Sequence, residues 1–253
     1  MNGLGGGGAR ADGAFKRVPL VKICGITEEA TLRAMDGLPV DYIGFVFAPS
    51  RRRVVPRQAS RLAAAARGAR MAGGLAPRIV GVFVNPTLEE LSAVLAEVPL
   101  DVVQLHGSET PELCRAVGER FGVEVWRALA VDEPDKREAS PEGAGPQRLA
   151  AFEGAVSAIL LDTAGGGTGR AFRWDLIPAY REAAAAGGLK LFVAGGLHPG
   201  NVGELLASYA PDGVDVSSGV ETDGKKDARK IRSFMERVRA HGGSKNNSAR
   251  RTG

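Results

Sequence analysis

Short apolar runs recur along this chain at intervals of about twenty to thirty residues, and each is followed by a polar, glycine- or proline-marked turn and then a stretch of helical spacing. The first run, Val21 to Thr27, alternates so that Lys22 and Cys24 share one face while Val21 and Ile23 share the other. A helix over Glu28 to Gly37 follows, with Thr27 placed to cap it and Gly37 placed to stop it. Asp41 to Phe47 is the next strand, then a basic loop and a helix opened by Pro56. Ile79 to Val84 precedes a helix capped by Thr87, and Asp101 to Gly107 precedes one that begins near Glu109 with Pro111 in its first turn. Val123 to Ala128 predicts a fifth strand, Asp132 to Pro146 a long surface loop, and Gln147 to Phe152 a short helix. Ala158 to Asp162, Leu189 to Ala194 and Gly213 to Val216 complete eight strands. Their helices are predicted over Trp174 to Ala186, from Pro199, and over Asp227 to Arg239, where Ile231, Phe234, Met235 and Val238 make an apolar stripe.

Eight strands alternating with eight helical segments, with no break in composition, predict a single (β/α)8 TIM barrel; a doubly wound open sheet is the structural rival. The barrel domain is expected over residues 18–241, between a flexible N-terminal tail (1–17) and a disordered C-terminal tail (242–253).

In such a barrel the chemistry lies at the C-terminal ends of the strands, and the polar residues of these strands fall there. Cys24 ends the first strand, Gln104 and His106 share a face at the end of the fourth, Asp162 ends the sixth, and Asp215 shares a face with Ser217 at the end of the eighth. Lys22 beside Cys24 is expected to favour the thiolate, against a reading of Cys24 as a buried structural cysteine. Asp162 closes four apolar residues, a desolvating setting of the kind a general acid requires; the competing role is capping its own loop through the amides of Thr163 and Ala164. Gly195 and Gly196 after the seventh strand, with Ser217, Ser218 and Gly219 after the eighth, stand where barrels commonly bind phosphate, with small residues that allow close backbone approach.

Composition changes this picture little, and mainly by exclusion. Hydrophobic residues at 44% and charged residues at 25% describe an ordinary soluble globular chain, and no apolar run reaches the roughly 20 residues of a membrane helix. The net charge of +4 collects in the C-terminal tail and at Arg51 to Arg53, without aromatic platforms, so no nucleic-acid partner is expected. Two distant cysteines and three histidines supply neither a disulfide framework nor a metal set, and point to a reducing, cytoplasmic compartment. The glycine-rich opening lacks the apolar core of a secretory signal. Gly219 to Lys226 has Walker A spacing, but Lys226 stands where a hydroxyl should meet magnesium, and Glu221 and Asp223 would repel phosphate. Gly165 to Gly169 lacks the last glycine of a dinucleotide fingerprint and reads as a flap over the barrel mouth.

Taken together, Val21 to Thr27, Gly44 to Pro49, Val80 to Asn85, Gln104 to Gly107, Leu160 to Thr163, Gly195 to Leu197 and Asp215 to Glu221 resemble, in order, the phosphoribosylanthranilate isomerase family of tryptophan biosynthesis. The resemblance implies an Amadori rearrangement of a phosphorylated small molecule, without cofactor or metal, by a monomer or a homodimer. It implies Asp162 as the acid and Cys24 as the base. It further implies Arg52, chosen over Arg53, on the anthranilate carboxylate, with His106 and Asp215 also at the substrate. The histidine-pathway isomerase that performs the same rearrangement would be expected to carry an aspartate in place of Cys24; a metal-dependent epimerase would need more ligands; a noncatalytic scaffold would lack the acid or the base.

Overall fold

The computed structural model describes residues 18–131, 145–163 and 173–242. The N-terminal tail, the C-terminal tail after Gly242, the Gly165 to Gly169 flap and nearly all of the Asp132 to Pro146 loop lie outside them, while Gly242, expected in the tail, ends the last helix. Eight parallel strands close into a barrel in sequence order: β1 Leu20–Cys24, β2 Tyr42–Val46, β3 Arg78–Phe83, β4 Val102–Leu105, β5 Glu124–Val131, β6 Ala158–Thr163, β7 Lys190–Val193 and β8 Gly213–Val216. Closure comes from β1 pairing with β8, with Lys22 opposite Asp215. The open-sheet alternative is thereby excluded.

Helices α1 Glu29–Met35, α2 Pro56–Gly68, α3 Leu88–Glu97, α4 Pro111–Phe121, α5 Ile177–Ala186, α6 Val202–Tyr209 and α7 Ala228–Gly242 surround the barrel. The β5–β6 connection carries a 3-10 segment, Gly145–Phe152. The period-two alternation sorts the side chains into two cores. Val21, Ile23, Ile43, Val103, Ile159, Leu161, Leu191 and Val214 face the helices, while Cys24, Tyr42, Val80, Val102, Trp126, Leu160 and Phe192 fill the barrel. Tyr42, Trp126 and Phe192 plug the interior, with ring centroids 4.5 to 5.8 Å apart. Gly213 makes room for them, since a Cβ there would stand 2.3 Å from the Phe192 ring.

Local signals hold at several ends. Thr87 forms a reciprocal capping box with Glu90, and Pro56 and Pro111 open their helices. Others give way to contacts that local sequence does not reveal. Thr27 does not cap α1, whose cap is Glu28 without a side-chain bond; the Thr27 carbonyl accepts from Gln58 instead. Glu109 precedes α4 as a buried carboxylate that accepts from the amides of Asn85 and Gly107 at 2.8 Å and lies 3.3 Å from Arg127 Nη1. The helix expected from Pro199 begins at Val202, because Asn201 first ties the turn through His198 N. The Trp174 helix opens as a 3-10 turn, and β5 runs on to Val131. The Walker-like stretch is a hairpin, Glu221–Thr222 (β9) against Lys225–Lys226 (β10), turning at Asp223 and Gly224 with positive φ.

Candidate active site

The C-terminal end of the barrel opens into a cavity of about 830 Å³ whose lining includes Cys24, Arg52, Gln104, His106, Asp162 and Asp215. All but Arg52 are the strand-end residues that the sequence pattern brings forward; Arg52, on the loop after β2, is the one that the resemblance implies. Arg53 lies outside that lining and is exposed; its backbone bridges to Val46. Of the paired arginines, then, Arg52 is the one at the cavity.

Lys22 and Cys24 rise on the inner face of β1. The Lys22 ammonium is completely buried and donates to Asp215 Oδ2 at 2.9 Å. Burial by itself would lower its pKa, but Asp215 and then Cys24 beside it overcome that and raise it, so Lys22 stays charged. Cys24 departs from the sequence expectation. Burial pushes its thiol above the ordinary range, and the opposing pull of Lys22 does not restore it. The cation tempers the cost of a thiolate without making it the resting form. Asp215 Oδ1 is buried with no hydrogen-bond partner among the described residues, although Asp215 lines the cavity.

Across the mouth, Asp162 Oδ1 accepts the Thr163 amide at 2.7 Å while Oδ2 lies 3.4 Å from His106 Nε2. The loop-capping role is thus real for one oxygen and leaves the other for the cavity. His106 is in turn held by Gln104, whose Nε2 lies 3.2 Å from Nδ1; Gln104 Oε1 is buried and has no partner among the described residues. Gly195 is required here, because a Cβ on it would stand 2.3 Å from Thr163 Oγ1 and 3.0 Å from Asp162 Oδ1.

The loops after β7 and β8 meet beside the acid and the thiol. Gly195 and Gly196 both have positive φ, and Asn201 Nδ2 braces the Gly196 carbonyl at 2.9 Å. Gly195, Gly196, Ser217 and Ser218 line the cavity. Gly219 does not; a Cβ there would collide with the Leu197 carbonyl, so its smallness lets the two loops pack together. The Ser217 hydroxyl is already engaged, donating to the Cys24 carbonyl at 3.0 Å and lying 3.2 Å from Lys226 Nζ.

Sequence reasoning missed the other partner of Arg52. Glu221, dismissed above as a phosphate-repelling residue, accepts from Arg52 Nε at 2.6 Å and Arg52 Nη2 at 2.9 Å. Lys226 and Arg51 bond the same carboxylate. The only signal was the odd placing of an acid between two basic stretches. Among the described residues no cluster of three or more His, Cys, Asp or Glu side chains could hold a metal ion, and no helix is long and apolar enough to cross a membrane.

Known proteins share this fold and much of this sequence. A family model for N-(5'-phosphoribosyl)anthranilate (PRA) isomerase matches residues 21–237. An N-(5'-phosphoribosyl)anthranilate isomerase of Brevibacillus brevis is 48% identical over 235 residues, covering 91% of this chain and 98% of that one. Two solved structures cover 88% of this chain and 99% of their own. The first, monomers of the dimeric phosphoribosylanthranilate isomerase of Thermotoga maritima, is 35% identical with a TM-score of 0.68. The second is a phosphoribosylanthranilate isomerase in complex with reduced 1-(o-carboxyphenylamino)-1-deoxyribulose 5-phosphate, 33% identical with a TM-score of 0.66. With a match over most of its length in family model, sequence and fold alike, this chain belongs to the phosphoribosylanthranilate isomerase family.

Proposed function

We propose that this chain converts N-(5-phosphoribosyl)anthranilate to 1-(2-carboxyphenylamino)-1-deoxyribulose 5-phosphate, an aldose–ketose isomerisation in tryptophan biosynthesis. The observation that carries the reading is the opening of one carboxyl, Asp162, and one thiol, Cys24, onto a single cavity flanked by two small-residue loops. Protonated Asp162 gives its proton to the furanose ring oxygen as the C1–O bond breaks, leaving a protonated Schiff base at C1. The Cys24 thiolate then takes the proton from C2. The C–H electrons form the C1–C2 double bond of an enolamine, and protonation at C1 with loss of the hydroxyl proton yields the amino-ketose. Acid and base finish in exchanged protonation states, and return of a proton from thiol to carboxylate readies the next turnover.

The remaining groups bind. His106 faces Asp162 Oδ2 and can relay its proton; Asp215 Oδ1, without a partner among the described residues, suits a sugar hydroxyl. Gly195, Gly196, Ser218 and the backbone of Ser217 offer amides to the phosphate, with Gly219 keeping the loops close enough to do so. Arg52 binds the anthranilate carboxylate. All these groups come from one chain, so a monomer or a homodimer serves equally, and the cytoplasm supplies the reducing conditions that both free cysteines need.

The test is the loss of anthranilate-type fluorescence when the protein, with chelator present, meets phosphoribosylanthranilate generated in the cuvette. Loss well above the spontaneous rate supports the reading. A folded protein that leaves the spontaneous rate unchanged removes it.

A further inference from the structure

Arg52 raises a problem for the role just given to it, since its most directional edge is already bonded to an acid. Glu221 takes Nε at 2.6 Å and Nη2 at 2.9 Å, the side-on bidentate geometry with which guanidinium groups recognise carboxylates. The two side chains are only 11% and 4% exposed, so this is an embedded pair and not a surface contact. Lys226 Nζ adds a bond of 2.7 Å to Oε1, and Arg51 Nη2 one of 2.7 Å to Oε2. An ionised carboxylate has about four acceptor positions, and all are used. Glu221 therefore cannot bind anything else, and its three cations outnumber it.

What is left over is the second edge of the guanidinium. Nη1 donates to none of the described residues, and Arg52 lines the cavity. The stem cannot swing aside on the β1 side, because it lies across Gly25, where even a Cβ would stand 2.4 Å from Arg52 Cδ. Lys226 extends the brace to the base. Its Nζ also donates to the Ser217 carbonyl at 2.9 Å, and the Ser217 hydroxyl donates to the Cys24 carbonyl. A planar group pinned along one edge has its other edge fixed in direction, which is the preorganisation a bidentate ligand exploits.

We propose that Glu221 is the positioning residue of the aryl-carboxylate subsite, holding one edge of Arg52 so that the other presents a fixed fork to the substrate carboxylate. The proposal rests on the isomerase reading above and assigns a function to an acid that would otherwise only repel an anionic substrate. The alternative is that Glu221 competes for Arg52 and must release it before substrate binds. The two differ in sign: loss of the Glu221 charge weakens carboxylate binding in the first case and strengthens it in the second.

The experiment uses two stable ligands, 1-(2-carboxyphenylamino)-1-deoxyribitol 5-phosphate and its 1-(phenylamino) counterpart without the carboxyl group, titrated calorimetrically into the full chain. The native protein should prefer the carboxylated ligand by on the order of 100-fold, and Glu221→Gln should lose at least ~10-fold of that preference with the affinity for the phenylamino ligand unchanged. A Glu221→Gln protein that keeps or increases the preference, while Arg52→Ala loses it, overturns the positioning role and leaves the isomerase reading standing. If Arg52→Ala keeps the preference too, the carboxylate lies elsewhere and both the proposal and the role of Arg52 fall. Should Glu221→Gln not fold, Arg52→Lys decides. Lysine keeps the charge but cannot span Glu221 and ligand with two forks, so loss of preference supports the proposal and retention overturns it.

Discussion

Cys24 and Gly44 are paired across β1 and β2, and a Cβ on Gly44 would stand only 2.8 Å from Cys24 Sγ. The glycine is thus the wall against which the thiol rests, and its carbonyl also accepts the amides of Gly25 and Ile26 that turn the chain out of β1. Gly44→Ala is expected to push the thiol out of line with the C2 proton, lowering kcat at least ~10-fold with a smaller change in KM. Steady-state kinetics on a variant with native circular dichroism checks this; an unchanged kcat would mean that Sγ tolerates the displacement.

Removing either of the two groups proposed to transfer protons should be far more costly. Cys24→Ser and Asp162→Asn are each expected to lower turnover at least ~100-fold, because neither an alkoxide nor an amide can take the place of the missing base or acid near neutral pH. Near-native turnover in one variant would take that residue out of the mechanism.

The raised thiol of Cys24 has a kinetic consequence. In the proposed mechanism its active form is the thiolate, and burial makes that form scarce at neutral pH, with Lys22 as the main opposing influence. The limb of kcat/KM that reports the base should therefore rise with pH through the neutral and alkaline range. In Lys22→Met the rising limb should move to higher pH, since a group that lowers the thiol pKa has gone. A pH–rate profile that is flat, or that moves to lower pH in the variant, contradicts this assignment of the base.

Glu221 also connects stability with acid. Burial opposes its ionisation, but the bonds from Arg52 and Lys226 prevail and hold its carboxyl below the ordinary value of 4.5. A carboxyl whose pKa is lower in the folded than in the unfolded state adds stability that is fully present above the unfolded value and fades as pH falls through the folded one. The native protein should accordingly lose its stability advantage over Glu221→Gln below about pH 4.5. Urea midpoints for both proteins between about pH 6 and about pH 3 measure it. An advantage that is constant over that range would show the pair to be energetically idle.

The aromatic plug supplies a test of packing independent of the chemistry. Gly213→Val places a branched side chain where the Phe192 ring already stands, and overpacking of this kind costs ~1–3 kcal/mol. For a chain of this size that corresponds to a fall in Tm of ~2–4 °C per kcal/mol. Phe192→Leu in the same background should recover part of it by vacating the ring.

What the sequence determined by itself is what local rules can carry. Strand alternation sorted Val21 and Ile23 from Lys22 and Cys24, hydroxyl and proline signals placed Thr87, Pro56 and Pro111 at helix ends, and eight strand–helix repeats gave the barrel. The strand-end positions of Cys24, Gln104, His106, Asp162 and Asp215 followed from the barrel, because a closed parallel sheet turns all C-terminal ends to one mouth. Tertiary structure decided whatever depended on a distant partner. Thr27 failed as a cap because no local rule states which bond wins, and the state of Cys24 turned on how completely the barrel buries it. The pairing of Arg52 with Glu221 spans 169 positions and exists only because β8 closes on β1, bringing the loop after β8 against the loop after β2. Periodicity cannot reach that far; charge seen along the chain reads as repulsion until the fold supplies its counter-ions.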